Sequence, residues 1–248
     1  MKMVKRCCYV ILLFIFAVPA LICAETPDTG RTWECVSLSV KLSPEWSFTV
    51  QPGHIYEFSR SNGNIQETVF WELYAGPIYT FKISDFKIKL PLEYYYNGYP
   101  VRGKTYYLAH NIEFMPTVEY KTGDWTFSDR LRFNNRFYSS YYAADSQRKG
   151  YSMAVREMLT AEYLLIKDLS ASLADEIFIG AIKDPDTTAN TKGFLPTGIY
   201  QNRMYAGFTF YLTPALAVMP RYILETTYSS GNLTGVNHYA FMQVAYNL

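Results

Sequence analysis

Along most of the chain the apolar positions recur at every second residue. In FKIKLPLEYYY (86–96), Phe86, Ile88, Leu90, Leu92, Tyr94 and Tyr96 alternate with Lys87, Lys89, Pro91, Glu93 and Tyr95. In ETVFWELYAGPIYTF (67–81), Val69, Trp71, Leu73, Ala75 and Tyr79 fall opposite Thr68, Glu72, Tyr74 and Gly76. Successive side chains of a strand point to opposite faces, so a period of two predicts strands with one apolar face. The pattern predicts eleven strands, over 33–42, 46–58, 65–82, 86–96, 106–121, 124–142, 150–166, 169–182, 199–212, 215–228 and 238–248.

The segments between these strands are of two kinds. Tight turns stand at SPE (43–45), SD (84–85), KTGD (121–124), KD (167–168) and TP (213–214). Longer polar connections stand at SNGN (61–64), NGYPVRGKT (97–105), AADSQRKG (143–150), KDPDTTANTKGFLPTG (183–198) and SSGNLTGVN (229–237). Short turns at one rim and longer loops at the other are the layout of an antiparallel transmembrane β-barrel. Several strands exceed the ~9–11 residues that cross a bilayer when tilted, so they project beyond it. Single-chain bacterial barrels usually have an even strand number, so the expectation is a barrel of ten to twelve strands. A split near Pro52-Gly53 or a miscounted first hairpin would make the number even.

One region conflicts with the pattern. MAVREMLTAEYLLIKDLSASLADEIFIGAI (153–182) is rich in Ala, Leu, Met and Glu, and its local preference is helical. A soluble α/β domain with a helical hairpin here is the competing expectation. Against it, Ser170, Ser172, Ala174 and Glu176 alternate with Leu169, Ala171, Leu173 and Ile177.

The first 24 residues differ in kind. A basic MKMVKR precedes the apolar CCYVILLFIFAVPALI and a small residue at Ala24, the composition of a secretory signal peptide cleaved after Ala24. The apolar run is long enough that an uncleaved anchor is the alternative. Beyond it no stretch of 18 or more apolar residues exists, so no transmembrane helix is expected. Residues 25–248 are then the barrel domain. Removing the leader takes three of the 23 basic residues and no acid, leaving 20 against 22 acidic residues, formally −2. Cys7, Cys8 and Cys23 leave with it, so Cys35 has no partner for an internal disulfide.

Composition narrows the class further. Charged residues are 18% and aromatic residues 17%, with 23 Tyr. That balance excludes disorder and lacks the basic stripe of a nucleic-acid binder. Trp33, Trp46, Trp71 and Trp125 suit aromatic girdles at the two membrane interfaces. The chain ends on a strand whose alternate residues Ala240, Met242, Val244 and Tyr246 lead to Leu248, where insertion machinery usually meets Phe.

Alternation also decides which face is wet. It places Lys87, Lys89, Arg130, Arg132, Arg136, Arg156, Arg203 and Arg221 on one face with Glu72, Glu93, Glu113, Glu119, Glu162, Glu176 and Glu225. An Arg on the lipid side at midplane costs ~2–4 kcal/mol, so the three arginines of DRLRFNNRF (129–137) face inward. Fifteen inward charges would disrupt a dry sandwich core, whereas in a barrel they pair across a wet lumen. The expected lumen charge network is Arg130, Arg132, Arg136, Arg156, Glu162, Glu176, Arg203, Arg221 and Glu225. Asp129, Glu157 and Asp175 fall on the lipid face by the same parity and stand as exceptions.

The opening CVSLSVKLSPEWSFTV, the arginine-rich RLRFNNRF, and REMLTAEY, DEIF and YQNRMYAGFTFYLTPALAVMPRY together resemble DUF2490, a family of uncharacterised bacterial outer-membrane proteins. The resemblance spans nearly the whole chain beyond residue 24. It implies a barrel with an outer-membrane address, and it implies no activity.

Candidate chemistry is sparse. A barrel lipase needs a Ser with a His able to take its proton; His54 has Ser59 and Ser61 near it in sequence, but the close His-x-Ser-Asn spacing is absent. His110 and His238 fall on the outward parity near strand ends. No metal-ligand spacing and no glycine-rich phosphate loop occur, so no metal or cofactor is expected. Asn232-Leu233-Thr234 matches a glycosylation sequon by chance. Rings of Arg and Lys make anion filters, yet eight inward bases against seven acids are nearly neutral. The expected function is a small pore or passive barrel with a charge-paired lumen. The alternatives are a lipid- or lipopolysaccharide-modifying barrel enzyme and a soluble periplasmic β-rich binding protein. The expected partners are outer-membrane lipids, the barrel-insertion machinery and small polar solutes, with no nucleic acid.

Overall fold

The structure, a computed structural model, describes residues 28–60, 67–101, 104–140, 151–183 and 196–248. Its strands are β1 (Asp28–Lys41), β2 (Trp46–Arg60), β3 (Glu67–Ile83), β4 (Phe86–Val101), β5 (Lys104–Phe114), β6 (Thr117–Thr122), β7 (Trp125–Ser140), β8 (Tyr151–Ile166), β9 (Leu169–Lys183), β10 (Gly198–Tyr211), β11 (Leu216–Ser229) and β12 (Asn232–Asn247). Each pairs with its neighbour in one sheet, and β1 meets β12 to close the barrel.

β5 and β6 are one stave. Both run antiparallel to β4 and to β7, and the interruption at Met115-Pro116 falls between them. Proline has no N–H for the ladder, which is why the stave breaks there. Pro52-Gly53, by contrast, lies inside the continuous β2. The barrel therefore has eleven staves, inside the expected range but odd. In an up-and-down meander the first and last of eleven strands point the same way. Closure is accordingly parallel, from Asp28↔Val236 to Ser39↔Asn247, while the other pairings are antiparallel.

The segment 153–182 forms the β8–β9 hairpin, with thirteen residues of β8 in register with β7 and Ala154–Ile166 then returning along β9. Cross-strand pairing on both sides overrides its helical propensity. Two expected long connections are mostly strand: over 97–105, β4 runs to Val101 and β5 begins at Lys104, and residues 229–237 hold only a two-residue turn, with Ser230 at φ 51° and Gly231 at φ 81°. Two left-handed residues in a row match the twist of the flanking strands.

The outer surface is apolar. Val36, Leu38, Val40, Leu92, Ile112, Leu131, Leu159, Leu173, Ile179 and Met242 are among its exposed side chains, a band that only a hydrocarbon surrounding satisfies. Trp46 packs on Tyr79 and Trp125 on Tyr163 near the short-turn rim. Nearer the other rim, Trp71 packs on Tyr96 and Phe137 on Tyr151. Phe86 and Tyr96 share the outer face of β4 ten residues apart, which at a tilted strand rise spans about 25 Å, the height of a barrel's apolar band.

Trp33 departs from the girdle expectation. Outward Val36, Leu38 and Val40 put the odd residues of β1 inside, and Trp33 accordingly donates its indole N–H to Glu72 in the lumen (2.9 Å). Asp129, Glu157 and Asp175 do face outward: no bulge interrupts the β7–β8 pairing, and the register shifts on either side of β9 lie away from Asp175. Asp129 and Asp175 line an outer groove of about 780 Å³ together with Ala161 and Ala206. Both aspartates are exposed, and Asp175 accepts a hydrogen bond from Asn202 (2.8 Å).

Candidate functional site

The lumen holds the polar chemistry of the molecule, and alternation along each strand is what delivers it there. β7 contributes Arg130, Arg132 and Arg136, with Asn134 between them; β8 contributes Arg156 directly opposite Arg132. Like charges directly opposite repel, and a carboxylate on each side offsets the repulsion here. Arg132 pairs with Glu113 of β5 and donates to the Tyr74 hydroxyl (2.8 Å). Arg156 makes a two-nitrogen contact with one oxygen of Glu176 (3.1 and 2.8 Å).

Glu176 is the hub of this layer. It is fully buried, and besides Arg156 it accepts from Arg130 (3.1 Å) and from the Tyr205 hydroxyl (2.6 Å). A second hub lies nearer the long-loop rim. Glu225 accepts from Arg203 (2.6 Å), Asn237 (2.7 Å) and Tyr239 (3.1 Å), with Arg31 4.0 Å away. Arg31 in turn pairs with buried Glu57 (2.9 Å), which also pairs with Arg60.

Aromatic rings fill the spaces between the charges. Tyr74 and Tyr95 stack at 4.0 Å, and the Arg132 guanidinium lies 5.0 Å from the first ring centroid and 5.5 Å from the second. Phe178 sits between Arg156 (4.1 Å) and Arg203 (4.9 Å), and Arg203 also covers Trp33 (5.3 Å). Guanidinium groups over ring faces keep their charge while shedding water.

Together these side chains pack a waist. Glu113, Glu176, Asn97 and Asn111 are fully buried, and Arg132 is 6% exposed, where the wall of an open water channel would be wet. Two cavities lie on either side. An upper vestibule of about 420 Å³ includes Arg31, Gln201 and Glu225 in its wall. A lower vestibule of about 360 Å³, toward the short-turn rim, includes Ser39, Thr49 and Gln243. Trp33, Tyr74 and Arg156 form walls of both.

The nine residues expected as a network do not form one connected set. Arg130, Arg156 and Glu176 meet, and Arg203 meets Glu225. Arg136 donates to Asn111 (2.8 Å). Glu162 accepts from Ser170 and Tyr211 (2.6 and 3.1 Å), and among the described residues Arg221 reaches only the Met219 sulfur (3.8 Å). Members that sequence reading missed are Arg31, which precedes the expected start of the first strand, and Glu57. Reading alternation through Thr49, Gln51, Gly53 and Ile55 to Glu57 carries the signal for the latter.

The histidines lie on the outer face. His54 sits between the Thr68 hydroxyl (2.9 Å from Nε2) and Glu34 (3.5 Å from Nδ1). Ser59 is not its partner, and Ser61 lies outside the described residues. The arrangement has the form of a hydroxyl–imidazole–carboxylate triad, but it recurs where no nucleophile is in question. His238 bonds Tyr222 and Asp28, and His110 bonds Tyr94. The shared feature is a cross-strand hydroxyl satisfying an imidazole on an apolar surface. Among the described residues no group of His, Cys, Asp and Glu could hold a metal ion, and Cys35 is a buried free thiol facing the lumen.

A closed sheet with an apolar exterior and most charges turned inward defines a transmembrane β-barrel. Among solved structures, a NanC porin superposes over 90% of this chain and 100% of its own, with a TM-score of 0.52 and 11% identity. A family model matches residues 30–236, and the chain belongs to that family, described as protein of unknown function (DUF2490). No curated protein matches.

Proposed function

We propose that this protein is an outer-membrane barrel acting as a narrow, weakly conducting pore, its lumen restricted by the Arg132–Glu113 and Arg130/Arg156–Glu176 layer. The leader at residues 1–24 fits export, and the porin-like fold fits an outer-membrane address. One observation carries the reading: two vestibules flank a waist whose charges are buried and paired. Paired charges leave little net field, so ions of either sign meet a similar barrier. Small polar solutes fit the vestibules, and lipids and the insertion machinery are the expected partners of the outer face.

Planar-bilayer recording of the refolded protein tests this. The expected result is small, resolvable current steps with a reversal potential near zero in a salt gradient. Large steps, or a strong anion or cation preference, would overturn it, and complete silence would leave a structural barrel instead. The lipid-hydrolase alternative has the Thr68–His54–Glu34 geometry in its favour. Loss of labelled-phospholipid hydrolysis in a His54→Ala variant would establish it; the recurrence of the same pairing at His110 and His238 argues for no hydrolysis at all.

A further inference from the structure

The lower vestibule contains two charges that the waist network leaves over. Glu93 is 7% exposed, yet it takes no hydrogen bond and no ion pair within 4 Å from a described residue. Arg130, Arg132 and Arg156 also line this cavity, and each is held by a carboxylate of the waist, Arg130 and Arg156 by Glu176 and Arg132 by Glu113. Among the described residues Arg221 makes one polar contact, a 3.8 Å approach to the Met219 sulfur, and its Nε is buried with no acceptor from them.

Both side chains line the same cavity. They stand on opposite walls: β4 and β11 are five staves apart in one direction around the barrel and six in the other. Each lies against an inward glycine of the adjacent strand. A Cβ on Gly76 would come 3.0 Å from the Glu93 Cγ, and one on Gly207 would come 2.6 Å from the Arg221 Cγ. No neighbouring side chain on that side covers either stem. The wall between them offers uncharged hydrogen-bonding groups, Ser37, Gln51 and Gln243, and the apolar surfaces of Ile78 and Phe241.

A buried charge without a counterion is costly. A lone anion would satisfy Arg221 and leave Glu93 facing like charge; a lone cation would do the reverse; a neutral sugar would answer neither. Opposite charges at the two ends of one cavity select a solute with opposite charges at its own two ends. We propose that the lower vestibule is a binding site for a zwitterionic solute, a short peptide with free termini, whose carboxylate meets the Arg221 guanidinium and whose ammonium meets Glu93. A guanidinium is the donor best shaped for a carboxylate. A cavity of about 360 Å³ is at the small end of ligand sites, which limits the peptide to two or three small residues. The site is independent of whether the waist passes current, because a peptide can enter from the short-turn rim and leave by the same way.

Equilibrium binding of triglycine to the refolded, full-length barrel in nanodiscs, read by calorimetry, tests the proposal. Triglycine, its N-acetyl form, its C-terminal amide and the doubly capped peptide are compared. Capping either end is expected to weaken binding by about thirtyfold or more, the low end of the scale for truncating one partner of a desolvated charge pair. Glu93→Gln is expected to reduce triglycine binding to the level of the N-acetyl peptide while leaving that peptide's own affinity unchanged. Arg221→Gln is expected to do the same with respect to the amide. Heat-modifiable gel migration shows that each variant is folded; if one is not, the four-peptide series on the unaltered barrel decides alone. Triglycine binding no tighter than the doubly capped peptide, or absent, overturns the proposal, as do variants that affect both singly capped peptides alike.

Discussion

Replacing Glu176 by Gln removes one charge and almost no volume, and the structure sets what that should cost. The carboxylate is fully buried and accepts from Arg130 at 3.1 Å, from Arg156 at 3.1 and 2.8 Å and from Tyr205 at 2.6 Å. The amide oxygen of Gln can still accept some of these bonds, but its NH₂ faces donors and the counter-charge is gone. Breaking a buried ion pair from one side costs ~3–5 kcal/mol, because the partner is left uncompensated. Two arginines share this carboxylate, which raises the cost. The Arg130 side chain is 31% exposed and can turn to lumen water, which lowers it. A loss of about 3 kcal/mol is expected, roughly a 150-fold shift in the folding equilibrium. Glu93→Gln is the matched control: its carboxylate has no ion pair to break, so stability should hold or rise by about 1 kcal/mol. Urea titration of each variant reconstituted in phospholipid bilayers, with the folded fraction read from heat-modifiable migration, measures both at constant slope. A Glu176→Gln barrel within about 1 kcal/mol of the unaltered one, or equal losses for the two variants, would refute a network centred on Glu176.

Three further outcomes follow from other parts of the barrel. Asp129→Leu, on the lipid face beside Leu159, should stabilise the inserted barrel by about 1 kcal/mol, less than removal of a midplane Lys or Arg would; the same urea titration reads it. Gly98→Val should destabilise by about 1–3 kcal/mol through overpacking, because a Cβ there would meet the Trp71 ring at 2.3 Å. A Thr32→Cys/Ala240→Cys pair joins residues directly opposite in the parallel closure, within the usual ~4.4–6.8 Å Cα separation of a disulfide. Oxidation should cross-link it in a Cys35→Ser background and shift gel migration; no cross-link would argue against eleven staves.

The inward arginines of DRLRFNNRF were legible because a period of two gives face directly, and the lipid penalty decides which face is wet. The hairpin at 153–182 was legible for the same reason despite its helical composition. What alternation cannot give is which Glu meets which Arg. Arg31 and Glu225 come together only because β1 closes on β12, and Arg132 meets Glu113 diagonally because the β5–β7 register sets Glu113 against Asn134, two residues on. Trp33 shows the opposite error. Its face could be read from Val36, Leu38 and Val40, but residue type was given more weight than parity. The odd stave count also follows from the strand pattern itself, and only the expectation of an even number stood against it. Asp129, Glu157 and Asp175 keep the faces that parity assigned, and the groove that the two aspartates line also holds small residues of adjacent strands, Ala161 and Ala206.

The two vestibules and the waist between them are tested most directly by sided thiol labelling. In a Cys35→Ser background, Ser39→Cys places a thiol in the lower vestibule and Gln201→Cys places one in the upper. A membrane-impermeant, bulky charged maleimide is added to one side of barrels inserted in a single orientation. Each thiol is expected to react from its own side alone, with Ser39→Cys labelled from the short-turn rim and Gln201→Cys from the long-loop rim. Labelling of both positions from both sides would mean an open tube, and the packed Arg–Glu waist would be wrong.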